Sequence, residues 1–276
     1  MKRDLFLIAI AALLLAPNFM KWDINGHLPF NGKEKYDPNL SFINSVDKLE
    51  SYIDNKAAAN GINTQTVQYV IETESAIKDR FYHDFSHFSL NQNWIAALTE
   101  KITGIGLSCK LLPDDILRDE NAACSQQSIV MMEVLKRKGI SYRKVGFPHH
   151  YALEAEVNNN WYYFDPNMEP DISPNQRMEE NWKCCADNLK KFYNPEIYTN
   201  LNYQFGVKNV AATFGPINEK PAPRARLFQS VSGVLSWTAW CFPLLLVLYR
   251  RRVKTPLLKL SFSGFSFKKR IPSFSI

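Results

Sequence analysis

The chain has 276 residues and a formal net charge of +6, long enough for one sizeable domain with appendages. The charge is uneven: residues 21–225 carry 22 Lys+Arg against 26 Asp+Glu, whereas residues 226–276 carry 9 Lys+Arg and no acid. The central part is therefore mildly acidic and shows no basic face, which excludes nucleic acid as an expected partner.

Lys2 and Arg3 precede an apolar run over residues 5–16, the form of an export signal. Pro17 and the bulky Leu14 suit a cleavage site poorly, which favours an uncleaved anchor over residues 1–20. The run is shorter than the ~20 residues of a bilayer span, so a cleaved signal stays the alternative. Residues 21–60 read as a linker followed by a helical lead-in at 45–59. There Val46, Leu49, Tyr52 and Ile53 recur at helical spacing, and Gly61 is a stop signal.

Residues 61–200 read as the globular domain. A helix is expected at 64–81, with Val67, Val70, Ile71 and Ile77 on one side, and a shorter one at 91–102. Residues 103–112 read as a loop, and 114–121 offer N-cap candidates for the next helix. That helix opens near Cys124, aligns Cys124, Ser128, Met131 and Leu135 on one face, and stops at Gly139. Strands are expected at 141–145, 151–157 and 161–164, the last two joined by a turn through Asn158, Asn159 and Asn160. A helix over 176–192 closes the domain. Helices first and strands later argue for an α+β fold with an antiparallel sheet.

Residues 201–226 read as a linker. The charge-free run 227–249 has the length of a transmembrane helix, and Arg250, Arg251, Arg252 and Lys254 begin a basic tail, 250–276. Basic flanks mark the cytoplasmic side. Both ends are thus expected in the cytoplasm, with residues 21–225 on the extracytoplasmic face of the plasma membrane. The tail over 255–276 would lie along anionic lipid or lack fixed structure.

Three side chains carry the chemistry. A thiol is nucleophilic as thiolate, which the positive end of a helix favours, and Cys124 falls in a first turn. A histidine is the base suited to neutral pH, and His150 opens a strand. A carboxylate must orient the imidazole, and Asp165 closes the next strand. Paired strands joined through Asn158–Asn160 make His150 and Asp165 neighbours. His149 is the rival base, but alternation along a strand turns it the other way. Glu154, four residues beyond His150, is a further reason to prefer His150.

Ala123-Cys124-Ser125 at a helix start, the segment from Gly139 to Val145, His150 with Glu154, and the segment from Trp161 to Pro166 resemble the transglutaminase-like superfamily. The resemblance spans about residues 64–166. It implies a papain-like cysteine-protease fold, with the Cys124 helix packed on an antiparallel sheet. It also implies Cys124 as nucleophile, His150 as general base and acid, and Asp165 as orienting group. Where members of that superfamily usually have a glycine two residues before the cysteine, this chain has Ala122.

The expected activity is hydrolysis or acyl transfer at amide bonds of a peptide or protein, through a thioester and without a cofactor or metal. The Cys124 N–H is one candidate oxyanion donor, with Gln92 or Trp94 as another. Zinc held by the cysteine, histidine and aspartate is the competing chemistry, although no compact zinc spacing is present. A non-catalytic module that docks envelope-assembly partners at the bilayer is the competing function. Outside the cytoplasm Cys109 is free to pair with Cys184 or Cys185.

Overall fold

The structure is a computed structural model that describes residues 2–208 and 210–254; the expected lipid-bound or unstructured tail over 255–276 lies outside them. In chain order the helices before the sheet are α1 (Lys2–Leu15), α2 (Val46–Ala59), α3 (Val67–Arg80), α4 (Leu90–Thr103), α5 (Pro113–Ile116) and α6 (Cys124–Arg137). Strands β1 (Tyr142–Gly146), β2 (Tyr151–Val157) and β3 (Asn160–Phe164) follow. Next come the short helices α7 (Pro174–Arg177), α8 (Glu179–Trp182), α9 (Asp187–Lys190) and α10 (Leu201–Phe205). Strand β4 (Thr213–Phe214) and helices α11 (Pro223–Thr238) and α12 (Cys241–Lys254) are the last elements among the described residues. The chain divides into a large unit, Pro17–Trp237, and a small one that joins α1 to α12.

In the large unit the helix ends follow local chemistry. Ser45 caps α2 by accepting from the Lys48 N–H, and Thr66 caps α3 by accepting from Tyr69 N–H. Helix α6 ends where Gly139 takes a φ of 71°. The sheet is antiparallel with strand order β3-β2-β1-β4. Asn158 and Asn159 take φ of 51° and 62° in the two-residue turn between β2 and β3, the left-handed pair that a tight hairpin needs. This turn fixes the register, with Val157 opposite Asn160 and Leu153 opposite Phe164.

Alternation along β2 feeds two cores. Leu153, Ala155 and Val157 pack with Phe164 against α2, α3 and α6, through Ile53, Val70, Ile77, Val130 and Leu135. Ala152, Val145 and Tyr163 face the other way, onto Trp182, Leu189, Tyr193 and Phe205. Each enclosed aliphatic side chain contributes about 1.5–3 kcal/mol.

Three expectations change. The single helix expected over 176–192 is instead three one-turn helices. Met178 takes an extended backbone (φ −62°, ψ 135°), which lets Arg177 and Trp182 both turn inward. The expected linker 201–226 contains α10, β4 and the start of α11. The run 227–249 is not one helix, because it breaks between Thr238 and Cys241. Among the described residues no single helix is long and apolar enough to cross a membrane. Pro223–Thr238 and Cys241–Arg252 meet that test only as a pair. Within the large unit α11 is docked by a polar stripe: Gln229, Ser232 and Ser236 are buried, and Asn93 Nδ2 donates to Ser232 Oγ at 2.9 Å.

In the small unit α1 packs on α12. Asp4 lies 4.0 Å from Arg250 and 3.8 Å from Arg251, so the two helices run antiparallel and their basic ends coincide. Leu5, Phe6, Leu13, Leu245, Leu246 and Leu248 are exposed.

Candidate active site

Cys124 is the first residue of α6, and its entry is held by two buried amides. Gln126 accepts from the N–H groups of Ser86 (2.8 Å) and Ala123 (3.1 Å), and donates to the carbonyls of Ser86 and Lys110. Gln127 donates to the Ala122 carbonyl and to Asn167 Oδ1. The expected acidic caps over 114–121 do not serve this helix, whose N-cap is Ala123. The half-buried thiol thus lies at the positive end of a 14-residue helix.

His150 precedes β2 and Asp165 follows β3. Leu153 opposite Phe164 extends to Ala152 opposite Asp165, so His150 projects from the same sheet face as Asp165, one diagonal step away. His150 Nε2 lies 2.7 Å from Asp165 Oδ2, and both side chains are almost wholly enclosed. Cys124 is the other side chain that acts on the titration of His150, after Asp165. Asp165 occupies Nε2, which leaves Nδ1 for the thiol.

Burial alone would disfavour the imidazolium. The charge and hydrogen bond of Asp165, followed by Cys124, outweigh burial and push His150 up to about 10. Burial would likewise raise Asp165, but His150 and the Tyr193 hydroxyl hold it below its ordinary value. Phe147 and Phe205 cover the imidazole, at 6.4 and 5.1 Å between ring centroids.

The sequence-predicted Cys124, His150 and Asp165 therefore come together. His149 does not join them: it is exposed and stacks on Tyr203 at 4.0 Å. Glu154 is bound to Arg143 at 2.7 Å, and burial, opposed by Arg143, pushes it up to about 7. Of the two side chains expected as an oxyanion donor, Trp94 is engaged elsewhere, its Nε1 donating to the Ser236 carbonyl, and Gln92 accepts from the Ser89 N–H with its Oε1. No disulfide joins the five cysteines, so the expected pairing of Cys109 is absent. Burial, followed by Glu100, pushes the Cys109 thiol up to about 12.

No family model, curated protein or solved structure matches this chain.

Two supports of the triad were not read from sequence. The Tyr193 hydroxyl donates to Asp165 Oδ2 at 2.8 Å and lies 2.8 Å from the Tyr163 hydroxyl. Glu74 of α3 accepts the Asp165 N–H at 2.6 Å and pairs with Arg177 at 2.7 Å. Burial, opposed by Arg177, pushes Glu74 up to about 7. A signal for Glu74 existed, since it stands on the apolar face of α3 between Val70 and Ile77. Nothing in the polar stretch around Tyr193 marked that residue. Arg177→Met should destabilise the fold by about 3–5 kcal/mol at pH 8, because it leaves a buried carboxylate without its counter-charge. Denaturant midpoints measure it, and the loss should shrink at pH 5, where Glu74 takes up a proton.

Beside Cys124, Ser125 and Tyr151 line a cavity of about 330 Å³ that also meets Lys144, Glu219 and Lys220. Burial is the main cause that pushes the Tyr151 phenol up to about 12, and the charge of Cys124 adds to it. The hydroxyl thus stays neutral.

Proposed function

We propose that this protein is a membrane-anchored cysteine enzyme of the transglutaminase-like kind, with a papain-like core, acting on amide bonds of a peptide or protein substrate. The observation that carries the reading is the enclosed His150–Asp165 pair, acted on by the thiol at the start of α6. Cys124 Sγ attacks the amide carbonyl carbon while the Cys124 N–H faces the developing oxyanion. The carbon–nitrogen bond breaks, and the amine leaves with the proton from His150 Nδ1. Water or a second amine then gives a proton to His150 and attacks the thioester, which releases the acid or new amide and restores the sulfur. Asp165 holds the imidazole orientation throughout.

The anchoring half of the proposal rests on the small unit. Lys2, Arg3 and Arg250–Arg252 lie at one end of an antiparallel helix pair whose sides expose leucine and phenylalanine. That arrangement suits a bilayer with both basic ends in the cytoplasm and the large unit on the extracytoplasmic side.

Alkylation tests the chemistry. Iodoacetamide at about pH 5 should modify Cys124 before the exposed Cys184 and the half-buried Cys109, by roughly tenfold or more, since an ordinary thiol is almost wholly protonated there. Peptide mapping by mass spectrometry reads the order. Labelling of Cys184 first would end the reading of Cys124 as an activated nucleophile.

A further inference from the structure

Away from the triad, three segments bring an imidazole, a carboxylate and a thiol together. His87 lies in the extended stretch before α4, Glu100 lies in the C-terminal part of α4, and Cys109 lies in the loop beyond it. His87 and Cys109 face each other across an isolated antiparallel bridge. Cys109 Sγ is 3.6 Å from His87 Nδ1, and Glu100 Oε1 is 3.4 Å from the same nitrogen. The three ligand atoms all lie within 4.8 Å of one another. Ser108 Oγ adds a fourth group, 3.0 Å from Nδ1.

One ring nitrogen offers one proton or one lone pair, so three groups gathered on Nδ1 are more than a hydrogen bond requires. A shared cation accounts for the gathering. Zinc bonds of about 2.3 Å to sulfur, about 2.05 Å to nitrogen and about 2.0 Å to oxygen, at tetrahedral angles, give edges of roughly 3.6 Å for S···N and 3.3 Å for N···O. The two measured separations match those edges.

A supporting shell is present as well. The Ser108 N–H donates to Glu100 Oε2 at 2.7 Å and its hydroxyl donates at 2.5 Å, which leaves Oε1 turned to His87. Gln229 of α11 donates to the carbonyls of Cys109 at 2.6 Å and Leu107 at 3.1 Å, pinning the loop. Such outer partners fix ligand orientation at metal sites. His87 and Glu100 keep 13% and 16% of their side-chain surface, which leaves an entry path.

We propose that His87 Nδ1, Glu100 and Cys109 bind one zinc ion, with water or Ser108 Oγ as the fourth ligand. The mixed nitrogen, oxygen and sulfur set suits zinc over magnesium or calcium. Binding forms a sulfur–zinc bond and releases the Cys109 proton to solvent, with no change of oxidation state. Its role is a clamp. Ser86 and Lys110, the neighbours of His87 and Cys109, are the residues whose carbonyls hold Gln126 at the start of α6. The ion would thus fix the entry of the Cys124 helix without touching the triad.

The test uses the full chain, purified in detergent, loaded with zinc chloride and dialysed against metal-free buffer. Elemental analysis should find about one zinc per chain. His87→Ala and Cys109→Ser should each lose it, and Cys124→Ala should keep it. Cobalt(II) added to the metal-free wild-type chain should give a thiolate-to-cobalt charge-transfer band in the near ultraviolet, a readout independent of whether the variants fold. Absence of that band, zinc retained in the His87→Ala/Cys109→Ser double variant, or zinc lost in Cys124→Ala would overturn the proposal.

Discussion

Asp165→Asn should destabilise the folded chain by about 3–5 kcal/mol near pH 6, seen as a lower denaturant midpoint with an unchanged slope. The carboxylate is fully enclosed and accepts from His150, Tyr193 and the Met168 N–H. An amide at this place keeps the volume, offers one acceptor oxygen in place of two, and leaves a buried imidazole without its counter-charge. The pH dependence gives the sharper signature. Asp165 is held below its ordinary value of 3.8, so its contribution is present above that pH and is lost as pH falls through the folded value. His150 is raised from 6.5 to about 10, so its contribution is fully present below about 6.5 and is lost as pH rises towards about 10. The stability gap between wild type and variant should therefore be widest between about pH 4 and 6.5, and should narrow steadily on the alkaline side. In the variant, burial acts on His150 unopposed by Asp165, and that alkaline slope should disappear. Equal slopes for the two proteins between pH 6.5 and 10 would show that the pair is not charged in the way the geometry implies.

The parts of the site that local patterns control were legible in the sequence. The turn at Asn158 and Asn159 fixed the β2–β3 register, and register alone brings His150 to Asp165. Gly139 and the apolar spacing of α6 located the helix that begins at Cys124. The unread parts depend on partners far away in the chain. Residues 176–192 have helical composition, yet burial of Arg177 against Glu74 and of Trp182 against the sheet overrides that propensity and breaks the helix at Met178. Tyr193 and Phe205 lie in polar, turn-rich sequence and become site residues only because the second core folds over His150. The run 227–249 lacks charge, which gave the reading of one span. Its first half carries Gln229, Ser232 and Ser236 at helical spacing, and that polar stripe, present in the sequence, is what docks α11 on Asn93.

His150→Ala should change the shape of the Cys124 alkylation profile, and His149→Ala should not. With an imidazolium beside the sulfur, the wild-type rate should fall less steeply than that of an ordinary thiol as pH drops. Without it, the rate should follow an ordinary thiol and fall about tenfold per pH unit below roughly 8.5. The shape decides the matter better than the rate at one pH, because a more basic thiolate is also the better nucleophile and offsets part of the loss. On a glutamine-containing peptide the same variant should lose about 10²- to 10⁴-fold in turnover, the ordinary contribution of a positioned acid–base group. His150→Gln retains a buried polar side chain opposite Asp165 and guards against loss of the fold, which near-ultraviolet circular dichroism would reveal. The exposed His149, stacked on Tyr203 and turned away from the sulfur, serves as the internal control. Parallel profiles for wild type and His150→Gln, or the same loss in His149→Ala, would remove His150 from the chemistry and with it the proton path to the leaving amine.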